Sequence, residues 1–416
     1  MEEKNTITIG LFGYGVVGKG LFKLLNNSVQ KNIFIKKICI KQAAKIRDID
    51  SKYFTSNAVS ILTDNDIDII VEVTDDTDAA FSIVEAALQN KKPVISANKK
   101  MIVENYTQLI ALQQQYQTPI LYEAACGASI PIISAIKNYY NNQYLHSISG
   151  IINGSTNYIL TKICTEKITF TNALLLAQQA GFAESNPIAD ISGQDAANKL
   201  CIILAHAFDI VTTPNNFLYT GIQQINEIDV AVAVQNNHTI KLVANACTLQ
   251  NGSIAAYVLP QFIAPSHDFY NIKNEYNAFI IENIFGDTQI FKGKGAGAIP
   301  TASAILNDIC SLKNKCQYKK INNTTNKAIA KQYFIKIFVS TVGIQKIPQQ
   351  HFEWIEAYHQ QQYGSWLIGV IHVKKLVANN WWKKQGISLI TYPNSMIENI
   401  EEKAIKKRSM QLASIM

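Results

Sequence analysis

Charge is sparse in this 416-residue chain: Asp, Glu, Lys and Arg make up only 17% of it, and its seven cysteines include no CxxC pair. The missing pair excludes zinc-finger and thioredoxin-type chemistry. An odd cysteine count in a long chain fits reduced thiols, not a disulfide framework. No apolar run approaches the ~18 residues that a membrane helix requires. The opening MEEKNTITIG carries acids where a signal peptide carries basic residues, so a cytoplasmic location is expected. Basic residues outnumber acidic ones, 38 against 31, but the excess is spread along the chain. Its one cluster, Lys403, Lys406, Lys407 and Arg408, reads as a solvated tail. No basic face of the kind that binds nucleic acid is visible. The mild basicity suits a small anionic ligand. Against these absences stand 48% apolar residues, enough for large cores, and a length that suits two or three domains.

The first 125 residues alternate between two hydrophobic periods. Short apolar runs at Thr6–Phe12, Ile33–Ile40, Ile67–Val73, Pro93–Ala97 and Pro119–Tyr122 read as strands. Helical patterns at Val16–Leu25, Asp78–Leu88 and Glu104–Gln115 separate most of them. Strands alternating with helices imply right-handed crossovers and a parallel sheet. The fold class expected is therefore α/β, with an N-terminal Rossmann doubly wound parallel sheet. The pattern then changes. Helices are expected at Ser129–Tyr140, Asn157–Ile163, Phe170–Ala180 and Gln194–Phe208, with a strand at His146–Ile152. Strand-like runs (IKLVANACTL, SIAAYVL, FIIENIF, TQIF) fill residues 238–292, giving a second α+β domain. KGKGAGA at 292 is a glycine loop that leads into a helix over Thr301–Leu312. Residues 313–328 are polar and read as a linker. The tail reads strand (Tyr333–Val339), helix (Gln350–Gln360), strand (Trp366–Val373), helix, strand (Ile387–Tyr392).

Gly13, Gly15 and Gly18 form GxGxxG between the first strand and the first helix, the context in which that motif binds a dinucleotide. The first glycine permits the tight turn, the second lets backbone approach the pyrophosphate, and the third allows close helix–strand packing. The helix N-terminus adds partial positive charge for the phosphates. Dinucleotide folds that select NAD place an acid about 20 residues further on, at the end of the second strand, to bind the ribose 2′-hydroxyl. Here Lys41 occupies that place, with Lys45 and Arg47 nearby. A cation cannot accept a hydroxyl proton but can pair with a 2′-phosphate, so the expected cofactor is NADP, with NAD as the alternative.

Six stretches then matter together: GLFGYGVVGKG at 10, SANKKMI at 96, EAACGASIPII at 123, GIINGSTNYIL at 150, GFAESNPIADISGQDAANKLCIILA at 181 and GKGAGAIPTASAILND at 293. They resemble homoserine dehydrogenase from about residue 6 to about residue 312. The resemblance implies NAD(P)-dependent interconversion of L-aspartate 4-semialdehyde and L-homoserine, on the route to threonine, methionine and isoleucine. It also implies a homodimer or higher homo-oligomer that acts on a small molecule.

Reduction of an aldehyde needs a proton for the forming alkoxide, which a lysine ammonium can supply. The resemblance makes Lys199 that donor, one helical turn after Asp195, and sets Lys99 beside cofactor and substrate. The substrate's ammonium calls for carboxylates. The resemblance implies that Glu184 and Asp195 bind substrate and that Asp190 positions it or the lysines, with Gly181 and Asn153 as substrate-binding residues in matching turns. Gly13, Tyr14, Gly15, Val16, Val17, Gly18, Lys41, Ser96, Asn98, Lys99 and Gly297 are implied to hold the dinucleotide. The carboxylate of Glu123 and the carbonyls of Cys126, Ala128 and Ile130 match a monovalent-cation site, sodium for example.

Three departures stand out. Asp75 and Asp76 replace a usual Gly-Gly pair, Ser129 a usual glycine, and Asn186 a usual Asp. The domains expected are 1–128 with about 300–312 for the dinucleotide, 129–299 for catalysis and dimerisation, a linker at 313–328, and a small C-terminal ACT-like α+β region at 329–416. That region lacks the Asp-x-Pro-Gly turn of the regulatory ACT type, keeping only Gly343, and its four tryptophans are expected to pack a small core. Two other functions compete. An acylating semialdehyde dehydrogenase would use Cys126 as nucleophile, although no His lies within nineteen residues of it. A catalytically inactive dinucleotide-binding sensor would keep the glycine loop and lose the polar constellation, yet Lys99, Lys199, Asp195 and Glu184 are all present.

Overall fold

The computed structural model describes residues 6–27, 32–42, 46–140, 144–313, 316–318, 327–361 and 364–398. Lys45, the basic cluster after residue 400 and most of the expected linker lie outside them. The chain divides into two compact units: residues 1–143, 198–213 and 291–325, and residues 144–197, 214–290 and 326–416. The helix Gln194–Phe208 begins in the second and passes into the first.

The first unit holds a parallel sheet of six strands: β1 (Ile7–Phe12), β2 (Ile33–Cys39), β3 (Phe54–Thr55), β4 (Ile69–Glu72), β5 (Val94–Ser96) and β6 (Ile120–Leu121). Their order is β3-β2-β1-β4-β5-β6. Every residue of β1 and β4 is buried, as expected for strands covered on both faces. The order reverses between β1 and β4, and a doubly wound sheet binds its ligand in the crevice outside that switch point. β3 escaped the sequence reading because two residues show no periodicity. The helix expected over Glu104–Gln115 is two, Lys99–Glu104 and Tyr106–Tyr116, which meet at Asn105. The helix expected from Ser129 starts at Ile132, just after Pro131. Tyr318, in the expected linker, is buried instead: its carbonyl accepts from Gln113 Nε2 at 2.8 Å, and its ring packs on Tyr122 and His206.

The second unit is built on one large sheet. The strands of that sheet are β7 (Leu145–Ile151), β8 (Leu218–Tyr219), β9 (Thr239–Thr248), β10 (Ile254–Ile263), β11 (Tyr276–Asn283), β12 (Thr288–Lys294), β13 (Phe334–Val342), β14 (Phe352–Gln361), β15 (Gly364–His372) and β16 (Ile387–Ile397), all within the second unit except β12, whose chain passes into the first after Ile290. The order is β12-β11-β7-β9-β10-β16-β13-β15-β14, with β8 also beside β10. The C-terminal region does not stand apart. β16 runs parallel to β10 through Gln261 and Thr391, and one apolar core joins Tyr257 and Leu259 of β10 to Ile335, Leu367, Trp381 and Trp382. The helix expected at Gln350–Gln360 is the strand β14, paired antiparallel with β15. Its Glu, Ala and Gln residues are good helix formers, but pairing at the sheet edge overrides that weak preference. Between β13 and β14 stands only the short 3-10 turn Gln349–His351.

A polar contact reinforces the apolar one. Asn226 begins the helix Glu227–Gln235 with a capping box, and Asp229, within it, accepts from Ser340 Oγ of β13 at 2.6 Å. Asp229 is fully buried, and that burial pushes its carboxyl up to about 6, against the Ser340 hydroxyl, which lowers it. A raised folded pKa means that the folded chain holds the proton more tightly. The stability it brings is present below about pH 4 and is lost as pH rises through 6. Between pH 4 and 7 the unfolding free energy of the wild type should therefore fall by up to about 3 kcal/mol more than that of Asp229→Asn. Urea melts at stepped pH measure the difference, and parallel curves for the two chains would contradict it.

Candidate active site

The glycine loop follows β1. Gly13 has a φ of +99°, and a Cβ there would stand 2.7 Å from the Val73 carbonyl oxygen. A Cβ on Gly18 would stand 2.3 Å from the Gly13 carbonyl oxygen. Gly15 differs, since nothing lies within 4 Å of its Cβ position. Two glycines are thus required by the chain itself, while the middle one faces open space at the start of the helix Val16–Asn27. That is the arrangement a pyrophosphate needs. The Tyr14 ring packs edge-on against Phe22 and Phe54, and its hydroxyl pairs with Asp48. A fourth glycine, Gly20, was missed. A Cβ there would meet the Ala298 carbonyl oxygen at 2.5 Å, so Gly20 lets the Val16–Asn27 helix pack against Ala298–Lys313, just after Gly297 (φ +114°).

Beyond β4 and β5 a buried acid organises the loops. Glu72 Oε1 accepts from Thr74 N at 2.6 Å and from Thr74 Oγ1 at 2.7 Å, and Oε2 from Ser96 Oγ at 2.7 Å. Ser96 Oγ in turn accepts from Asn98 N at 3.1 Å, and Asn98 Nδ2 donates to the Thr74 carbonyl at 3.0 Å. Asn98 also caps the helix that Lys99 begins. Burial raises the Glu72 carboxyl despite these donors. The sequence reading named Ser96, Asn98 and Lys99 but not Glu72, which looks like any strand residue until its partners are known. Lys41 follows β2 as expected, and its ammonium lies 2.8 Å from Asp76 Oδ2.

Glu123 is also buried, and its carboxylate caps the helix Ile132–Tyr139. Oε1 accepts from Ile133 N at 2.9 Å, and Oε2 from Ser134 N at 2.9 Å and Ser134 Oγ at 2.6 Å. Burial raises its pKa, opposed by those donors. Asp308 accepts from Glu123 N at 3.0 Å and is pushed well up by burial and then by the Glu123 charge. Ala128 takes a left-handed φ of 48° in the turn that carries the three expected carbonyl ligands. A buried acid pair beside a turn of carbonyls suits a monovalent cation, which would offset the desolvation of the charges. Cys126 is buried, with Sγ directed to the Lys199 carbonyl at 3.9 Å, a poor position for a nucleophile. Ser129, one of the three departures, donates from Oγ to the Lys294 carbonyl at 2.8 Å and so fastens the second glycine loop. Lys199, on Gln194–Phe208, is also buried.

In the second unit three separated segments converge. Asn153 caps the helix Gly154–Glu166 through its Oδ1. Its Nδ2 donates to Asp190 Oδ1 at 2.7 Å and to Asp195 Oδ2 at 2.9 Å. The Ser155 hydroxyl, which the sequence reading passed over, lies 2.6 Å from the Phe182 carbonyl oxygen and 3.0 Å from Asp190 Oδ2. One amide thus holds two carboxylates that would otherwise repel. Lys241, buried and unforeseen, steadies the same helix from behind. Its ammonium donates to Asn157 Oδ1 at 2.9 Å and to the Ile272 carbonyl at 2.6 Å. Gly181 has a φ of +74° with open space around it, and Glu184 is exposed on the same loop. The Glu184 carbonyl accepts from Gln178 Nε2 at 3.0 Å.

Residues 13–123 match the family model described as the NAD binding domain of homoserine dehydrogenase, and residues 131–310 match the one described as homoserine dehydrogenase. Homoserine dehydrogenase of Synechocystis sp. is 33% identical over 318 residues, covering 74% of this chain and 73% of that protein. That of Bacillus subtilis is 30% identical over 338 residues, covering 79% and 77%. Among solved structures, a homoserine dehydrogenase from Thiobacillus denitrificans superposes with a TM-score of 0.80 at 24% identity, over 93% of this chain and 98% of that one. One from S. aureus gives 0.71 at 26% identity, again over 93% and 98%.

Proposed function

This chain belongs to the homoserine dehydrogenase family of NAD(P)-dependent oxidoreductases, and from that premise we propose which of its residues carry each part of the reaction. The reaction interconverts L-aspartate 4-semialdehyde and L-homoserine. The bound dinucleotide supplies the hydride in one direction and takes it in the other. The loop Gly13–Gly18 holds the pyrophosphate through backbone amides. Ser96, Asn98 and Lys99, kept in register by Glu72, serve the dinucleotide beyond β5, and Gly297 serves it from the second glycine loop. Lys41 is assigned to a 2′-phosphate, which makes NADP the cofactor of choice.

Asp190 and Asp195 bind the substrate's ammonium, with Glu184 and Gly181 contributing from the loop before them. Lys199 gives its proton to the alkoxide oxygen as the aldehyde is reduced and recovers it in the reverse direction, and Lys99 adds positive charge near the same oxygen. Glu123 with the carbonyls of Cys126, Ala128 and Ile130 would hold a monovalent cation, whose charge offsets the buried acids. The expectation of a homodimer or higher homo-oligomer rests on the resemblance alone.

The observation that carries the substrate assignment is the Asn153 amide bridging Asp190 and Asp195. Asn153→Ala should raise KM for L-homoserine roughly thirtyfold, because losing hydrogen bonds to charged partners costs about 2 kcal/mol. The dissociation constant of the dinucleotide should stay unchanged. An unaltered KM would remove the cluster from the substrate site.

A further inference from the structure

Two side chains meet where a doubly wound sheet reads the adenosine ribose. β2 and β4 flank β1, and the loops that leave them lie at the carboxyl edge of the sheet. The group offered to the 2′ position there separates NAD from NADP. The loop after β2 offers Lys41. The loop after β4 offers Asp76, and its Oδ2 lies 2.8 Å from Lys41 Nζ. Asp76 is held in place by a second bond: its Oδ1 accepts from Ala79 N at 3.0 Å and caps the helix Thr77–Gln89. The Ala79 amide, and after it the Lys41 ammonium, keep the carboxyl below its ordinary range, so it is ionised at neutral pH. The acid missing from the end of β2 is thus supplied from the neighbouring loop, 35 positions away in the chain.

We propose that Asp76 is a specificity-determining residue for the dinucleotide: it opposes the 2′-phosphate that Lys41 attracts and accepts the proton of a 2′-hydroxyl. A 2′-phosphate carries nearly two negative charges, must displace Asp76 from Lys41, and then lies beside an ionised carboxylate. A 2′-hydroxyl meets neither obstacle, because it donates to the carboxylate while the ion pair stays intact. With Asp76 present, the preference for NADP that Lys41 creates is held down. Both side chains are largely solvated, which limits the effect to about an order of magnitude and makes it weaken with salt. The inference rests on reading Lys41 as the partner of a 2′-phosphate.

The test is calorimetric titration of the full chain with NADP⁺ and with NAD⁺, without substrate. Asn at position 76 can still accept from Ala79 N, so the helix start is preserved in Asp76→Asn. That variant should bind NADP⁺ about tenfold more tightly and NAD⁺ several-fold more weakly, with the gain shrinking at high salt. An unchanged ratio of the two affinities overturns the inference. Lys41→Ala separates this from the underlying reading. If Lys41→Ala loses NADP⁺ affinity while Asp76→Asn changes nothing, the Asp76 inference fails and the Lys41 assignment stands. If Asp76→Asn shifts the ratio while Lys41→Ala does not, the Lys41 assignment falls: Asp76 is then supported as the acceptor of the 2′-hydroxyl, and its opposition to Lys41 is overturned.

Discussion

Lys199→Ala should lower kcat for NADPH-dependent reduction of L-aspartate 4-semialdehyde roughly a thousandfold, the middle of the range for loss of a positioned general acid. Lys199 lies on the helix Gln194–Phe208, one turn beyond Asp195, and its side chain is buried. The dinucleotide should bind the variant as it binds the wild type, because the glycine loop and the β4 and β5 loops do not depend on Lys199 for the contacts described above. Lys199→Arg should not rescue the rate. A guanidinium keeps the charge but does not release its proton in this range, so the arginine variant separates proton donation from charge alone. Turnover within tenfold of wild type in Lys199→Ala would move the donor role elsewhere, with Lys99 the first residue to test. A wild-type chain that binds NADPH and NADH yet turns over neither would make the matching residues relics of a sensor.

The second large effect concerns stability. Glu123→Ala would leave Ile133 N, Ser134 N and the Ser134 hydroxyl without the acceptor they share. Each buried donor so stranded costs about 1–3 kcal/mol. Relief of the buried carboxylate returns part of that, since burial already raises its pKa. A net loss of about 3–5 kcal/mol is expected, a large share of the ~5–15 kcal/mol that holds a typical domain together. Glu123→Gln keeps one acceptor and should lose less than half as much. Thermal melts in matched sodium and choline salts extend the test to the cation. Sodium should raise the wild-type midpoint and leave that of Glu123→Gln nearly unmoved. A wild-type midpoint indifferent to sodium would exclude the cation and leave the helix-capping role intact.

Much of the first unit could be read from local pattern. Short apolar runs between helical patterns placed five of the six strands of its sheet, and GxGxxG marked the turn between β1 and its helix. The handedness of βαβ crossovers then left little freedom in topology. The helix Gln194–Phe208 was legible to its ends, its apolar part running through Leu200–Phe208. Each of these signals lies within one element or one turn, which is why a sequence carries it openly.

The tertiary structure alone decided what depends on residues far apart in the chain. In the sequence Asp76 stands only as a departure from a usual Gly-Gly pair; the fold sets it against Lys41. Glu72 and Asp308 gave no local sign of their roles, since an acid in an apolar run has the same pattern whether or not donors await it. β14 carries helix-forming residues and became a strand because β15 offered it an edge to pair with. The C-terminal strands joined the second sheet because β16 found β10, separated from it by more than a hundred residues. Local periodicity records which face of an element is buried, and so determined the first unit's elements. The partner that buries that face, and the donor that satisfies a buried acid, are selected by long-range packing, which only the folded chain displays.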